Sequence, residues 1–342
     1  MTSNAHYIPN SHLDREWTMD FQHTRVLTVG FIDSLLDILE KVPGYEFLMD
    51  SQTVPLEDYL EIRPENRKRV ERFVKNGRLH IGPWYSAPDM NMISGEAITR
   101  NLLVGHRMAE RFGRVMKTGY TPFGFVHISQ LPQIYTQFGI DTCFFYRGIN
   151  KELLPKAEFV WEGPDGTRML SSRMSRAQRY NYYMNVWRKG LYGDQEARIN
   201  RLYDWRSGQL PFKICDADTR FDHGTVLKPH RNLDPRAVER ELRALFEREK
   251  KDFRTSELAF MHGFDTSAPE LLEDKVLQMC RGLVKKNEKL FYSSLPRYAE
   301  ALKMTINQSK LPVLTGEMKY HEWHPHGFYQ TFVNIISTRR PR

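Results

Sequence analysis

From Thr24 to Lys41 the apolar residues Val26, Leu27, Phe31, Ile32, Leu35, Leu36, Ile38 and Leu39 recur at helical spacing. That pattern predicts an amphipathic helix, and Pro43-Gly44 ends it. Phe47-Leu48-Met49 then reads as a short buried strand. The same alternation continues with a charged helix over Pro64 to Lys75, closed by Asn76-Gly77, and a strand at Leu79-His80-Ile81. Ser94-Gly95-Glu96 opens a long helix to Arg111, with Gly113 as its stop. Val115 to Tyr120 is strand-like, Gln130 to Gln137 helical, and Asp141 to Tyr146 β-rich. Later come a helix from Asp234-Pro235 to about Phe253, a strand at Leu258 to Met261 and a helix over Pro269 to Lys286. Leu290-Phe291-Tyr292, Leu295 to Met304 and Leu311 to Leu314 complete the series as strand, helix and extended segment. Repeated strand–helix alternation predicts an α/β domain with a parallel sheet or barrel covered by helices.

The middle breaks this rhythm. Phe159-Val160-Trp161 and Arg168-Met169-Leu170 flank the turn signal Pro164-Asp165-Gly166, two short strands around a tight turn. Arg176 to Arg206 is rich in Arg, Tyr and Asn, with Gly190 and Gly193 set to interrupt any helix; Cys215 to Leu233 is rich in turn residues. Both read as loops carrying local helix. No repeat or low-complexity linker divides the 342 residues, so one domain is the economical reading.

Composition narrows the class. An apolar fraction of 40% and an aromatic fraction of 12% suit a globular protein with a sizeable core. The net charge of +8 raises nucleic-acid binding, but basic residues alternate with acidic ones, as in Arg236 to Arg243 and Glu247 to Asp252. Such mixing marks solvated helix faces, so no nucleic-acid partner is expected. No apolar leader follows Met1 and no apolar run is long enough to span a bilayer, which disfavours a signal peptide and a membrane partner. Cys143, Cys215 and Cys280 are scattered, which fits a reduced, cytoplasmic protein and excludes a cysteine-built zinc site.

The chemistry begins in Asn10-Ser11-His12-Leu13-Asp14-Arg15-Glu16-Trp17. At a strand end, residues two apart share a face, so His12 and Asp14 converge as an imidazole and a carboxylate of the kinds that ligate zinc. A hydrogen-bonded histidine beside a solvated aspartate is the plainer alternative. The Ser11 to Trp17 run resembles the opening motif of the family 38 glycoside hydrolases, the α-mannosidases. Supporting blocks follow in order: Phe47 to Gln52, Gly82-Pro83-Trp84-Tyr85, Pro88-Asp89 with Ser94-Gly95-Glu96, Gln130 to Ile134, Arg147-Gly148, Trp161 to Gly166, His262-Gly263-Phe264-Asp265 and Gly316-Glu317-Met318.

The resemblance implies an α/β fold of (β/α)7-type distorted barrel, with a central parallel sheet covered by helices. It implies a catalytic domain over 1–315 and, over 316–342, a junction toward an absent helical domain, whose apolar surface around Phe328 and Phe332 would promote self-association. It further implies a carbohydrate substrate, hydrolysis of α-mannosides or related α-glycosides with retention, and a zinc ion held in part by His12 and Asp14. Asp265 matches the acid/base position, and Trp84, Tyr85, Asp89 and Arg147 match sugar-contacting segments, with Asp50 and Gln52 as further lining.

One departure stands out. The position of the nucleophile, itself a zinc ligand, is taken by Phe123 in Tyr120-Thr121-Pro122-Phe123-Gly124-Phe125, and a phenyl ring neither ligates zinc nor attacks an anomeric carbon. His127, Asp216 and Asp218 are candidate replacements, whereas His321, Glu322, His324 and His326 fit no single helix or strand face. Two further functions stay open: a non-hydrolytic carbohydrate-binding protein of the same fold, and a metal-dependent polysaccharide deacetylase. The latter would need an H-x-x-x-H pair, which is absent.

Overall fold

A computed structural model describes residues 2–16, 20–175, 178–192, 220–222, 225–227, 233–265 and 267–320. Strand β1 (Ser3–Pro9) lies at the centre, parallel to both β10 (Glu257–His262) and β11 (Glu288–Tyr292). Covered on both faces, β1 is buried from Ala5 to Pro9. Its one histidine, His6, is satisfied inside the sheet by Ser293 Oγ at 2.8 Å and Glu257 Oε2 at 2.9 Å.

Helix α1 (Phe21–Lys41) starts earlier than its apolar period suggests, because the Asp20 side chain accepts from the amides of Gln22 and His23. It packs on β2 (Phe47–Leu48) and β3 (Leu79–His80), a parallel pair, with α2 (Val54–Ile62) and α3 (Arg67–Lys75) alongside. Helix α4 (Gly95–Phe112) is capped by Ser94 and ends at Gly113, whose φ of 130° favours glycine. A third ladder has the order β12–β6–β7–β5–β4, comprising β4 (Gly119–Tyr120), β5 (Thr142–Phe144), β6 (Glu158–Glu162), β7 (Arg168–Ser172) and β12 (Val313–Thr315). Strands β6 and β7 form the hairpin that the turn residues predict. Helix α5 (Leu131–Gln137) lies between β4 and β5 in the chain. Helices α7 (Pro235–Asp252), α8 (Leu272–Leu283) and α9 (Leu295–Thr305) contribute to the apolar cluster around β1 and β10.

The α/β class is as expected, but closure into a (β/α)7 barrel is not confirmed. The described strands form four separate ladders, one of them the short hairpin of β8 (Arg220–Asp222) and β9 (Thr225–Leu227). The single bridges Asn10–Leu48 and Gln52–Trp84 add links between segments at the strand ends. Gly190 also departs from expectation. It lies within α6 (Arg188–Tyr192) rather than interrupting a helix, and a Cβ there would meet Val238 Cγ2 at 2.4 Å, so glycine allows α6 to approach α7 closely. No helix among the described residues is long and apolar enough to cross a membrane. The segment 321–342, with its histidines and Phe328 and Phe332, lies outside the described residues.

A buried acidic cluster lies around β6 and the end of α7. Glu158 and Glu249 are fully buried, and Asp252 is ion-paired with Arg173. Burial pushes Glu158 up to about 7 and Glu249 up to about 6. A carboxyl raised in the folded state binds its proton more tightly there than when unfolded. Its contribution is therefore favourable at low pH and is lost as pH rises from the ordinary carboxyl value through the raised one. Glu158→Gln removes this dependence while keeping an oxygen for the Arg254 amide, 2.8 Å from Glu158 Oε2. The variant should gain on the order of 2–3 kcal/mol over wild type between pH 5 and pH 8, measured as the difference in urea unfolding free energies. A difference that does not change with pH would contradict this reading.

Candidate functional site

Where β1 and β2 end, the chain brings His12, Asp14 and Asp50 together. His12 Nε2 lies 3.1 Å from Asp14 Oδ1, and His12 Nδ1 lies 2.7 Å from Asp50 Oδ2. The H-x-D spacing thus places both side chains on one side, as expected. Burial on its own would strip the proton from His12, but the charges and hydrogen bonds of Asp50 and Asp14 outweigh it and push the imidazole up to about 10. Both ring nitrogens are then donors.

Asp50 is the anchor. It and Ser51 are non-glycine residues with φ of 43° and 55°, a conformation that costs energy and persists only where the surroundings enforce it. Asp50 Oδ2 accepts from His12, from the Leu13 amide at 3.2 Å and from Gln52 Nε2 at 2.6 Å. Gln52 in turn accepts from the Ala87 amide at 2.8 Å, fixing the segment after β3.

Asp265 enters from the other neighbour of β1, since His12 and Asp265 form a parallel bridge just beyond the paired strands. Its carboxylate is ion-paired with Arg179, whose side chain is 1% exposed. Arg179 Nε and Nη1 are buried and meet no further partner among the described residues. The guanidinium also lies in the fields of Tyr146, Tyr120 and Asp50. Nothing in the sequence distinguishes Arg179 from the other arginines of its Arg-, Tyr- and Asn-rich stretch.

The expected sugar-contacting residues separate. Trp84 is fully buried, with Nε1 donating to the Tyr135 hydroxyl at 3.2 Å, so its ring belongs to the core and has no face to offer a sugar. Tyr85 is half-buried and donates to Glu57 Oε2 at 2.5 Å. Burial holds the Asp89 carboxyl above its usual range, and its Oδ1 meets no partner among the described residues. Arg147 lies over Phe125 and donates to the Phe123 carbonyl at 3.3 Å. A cleft of about 460 Å³ opens beside the site, lined by Asp14, Arg15, Glu16, Gln52, Ser86 and Ala87 together with the apolar Leu13, Phe21 and Val54. That volume suits one or two sugar units.

Among the described residues the donors fall short of a zinc site. Zinc takes three or four protein ligands, and no group of three His, Cys, Asp or Glu side chains among the described residues is arranged to hold a metal. The Phe123 ring stacks on His12 instead, with centroids 6.4 Å apart and planes 22° apart. His127 is packed in the core against Phe145, at 4.4 Å between ring centroids. Asp216 and Asp218 lie outside the described residues.

The family model "Glycosyl hydrolases family 38 N-terminal domain" matches residues 2–323. A relative named "Putative mannosylglycerate hydrolase", from Halalkalibacterium halodurans, is 38% identical over 54% of this chain and 22% of its own length. An α-mannosidase from Saccharomyces cerevisiae is 29% identical over 49% of this chain and 16% of its own. The chain thus matches about a fifth of the length of these curated relatives. Among solved structures, an α-mannosidase from Enterococcus faecalis V583 superposes with a TM-score of 0.74 at 23% identity, over 92% of this chain and 31% of that one. This last likeness speaks to the fold alone.

Deleting one member of a buried ion pair strands the other. Arg179→Met should therefore cost about 3–5 kcal/mol in urea unfolding, and a loss within about 0.5 kcal/mol would mean that the pair contributes nothing to the fold.

Proposed function

Since the chain belongs to family 38 of the glycosyl hydrolases, as an N-terminal domain of that family, we propose that it is the sugar-handling part of a hydrolase acting on α-mannosides. The observation that carries this reading is the convergence of Asp14 and Asp50 on His12, which is itself bridged through its backbone to Asp265, beside a sugar-sized cleft. The relatives' names agree on the mannosyl group. The finer expectation of a seven-stranded barrel remains part of the proposal, since the Enterococcus faecalis fold covers nearly the whole chain.

In this proposal Asp14 faces the cleft and accepts from sugar hydroxyls, with Gln52 fixing the wall opposite. Tyr85, Asp89 and Arg147 belong to the sugar-binding surroundings. Asp265 protonates the leaving oxygen as the glycosidic bond breaks and later takes a proton from water. Retention also requires a carboxylate to bond the anomeric carbon in between, a role for which Asp216 and Asp218 are the candidates in place of Phe123. To carry that proton, Asp265 must loosen its contact with Arg179. Zinc, which the resemblance implies, finds two donors here, and no step is routed through it. A reduced, cytoplasmic setting is supported by Cys143 and Cys280, both free and buried.

Phe123 favours a second reading, sugar binding without hydrolysis, because the ring stands where the resemblance places the nucleophile. Release of nitrophenol from an aryl α-mannoside separates the two. Hydrolysis reduced about 10²- to 10⁴-fold in Asp265→Asn supports the acid/base assignment. Equal rates in variant and wild type would remove it, and binding without turnover in the wild type would establish the second reading.

A further inference from the structure

His12 Nε2 and Asp14 Oδ1, at 3.1 Å, are separated as two ligands of one tetrahedral ion would be, each about 2.0–2.1 Å from the metal. What opposes a metal is the rest of the surroundings. Phe123 lays its ring along the imidazole, and at 9% exposure it is packed into the same apolar cluster as Phe145 and Trp161. Its backbone is held by Arg147 through the Phe123 carbonyl. The ring is therefore a fixed wall and not a side chain that swings away cheaply.

The neighbouring carboxylates each already serve a partner within the chain through one oxygen, although Asp50 Oδ1 is buried with no partner among the described residues. Asp50 Oδ2 serves His12, Leu13 and Gln52. Asp265 is paired with Arg179, which also lies in the field of Asp50. A buried guanidinium thus already supplies the positive charge that a cation would otherwise bring to these acids.

We propose that Phe123 closes the His12–Asp14 pair to divalent metal, so that this site works metal-free and takes zinc only when position 123 carries a ligating side chain. This goes beyond the mannoside reading and does not depend on it, because metal occupancy is measured without any sugar. A carboxylate at position 123 would leave the same Cβ that now directs a ring over His12, adding a third donor beside the two at 3.1 Å.

The test is the zinc content of the full chain after equilibration with zinc chloride and desalting, with zinc affinity from isothermal titration. Wild type should retain zinc well below one equivalent. Phe123→Asp should retain one equivalent, with affinity raised roughly 100-fold or more, and adding His12→Ala should abolish the gain. Phe123→His supplies a smaller aromatic donor if the aspartate variant fails to fold, as judged by circular dichroism. One equivalent of zinc in wild type, lost in His12→Ala, would overturn the proposal. So would a folded Phe123→Asp or Phe123→His chain that holds no more zinc than wild type.

Discussion

The site rests on one carboxylate oxygen. Asp50 Oδ2 accepts three hydrogen bonds, and those three tie the end of β1, through His12 and Leu13, to the turn that follows β2. Gln52 passes the restraint on to Ala87 and hence to the wall of the cleft. The left-handed backbone at Asp50 and Ser51 aims that oxygen. An interior of low dielectric makes each of these charge-assisted bonds stronger than it would be in water, and makes any unmade one costly. The cleft keeps its shape because of this knot.

Charge is largely offset inside the same knot. Asp14, Asp50 and Asp265 are set against a protonated His12 and the buried Arg179. The two cations belong to the chain itself. Phe123 stacks on the imidazole.

Much of this was legible in the chain. Helices with caps and stops, such as Ser94 to Gly113, follow from local chemistry, and so does the β6–β7 hairpin around Asp165-Gly166. His12 and Asp14 do come together, although both lie beyond the end of β1. What stayed hidden depends on tertiary context. The first half of β1 is polar in sequence, and only Glu257 and Ser293, more than 250 residues away, make Asn4 and His6 acceptable in the interior. In the sequence Arg179 resembles the other arginines of its stretch until Asp265 is placed beside it. Trp84 follows a glycine-proline pair as a platform residue would, yet Tyr135 and the surrounding core claim both its nitrogen and its faces.

The account's central claim is that the Asp50-anchored cluster forms a mannoside site. Isothermal titration of methyl α-mannoside into wild type and Asp50→Asn, with folding checked by circular dichroism, tests it most directly. Loss of hydrogen bonds to a charged acceptor predicts affinity about 10-fold or more weaker in the variant. Equal affinities in two folded proteins would place sugar binding elsewhere and contradict the account.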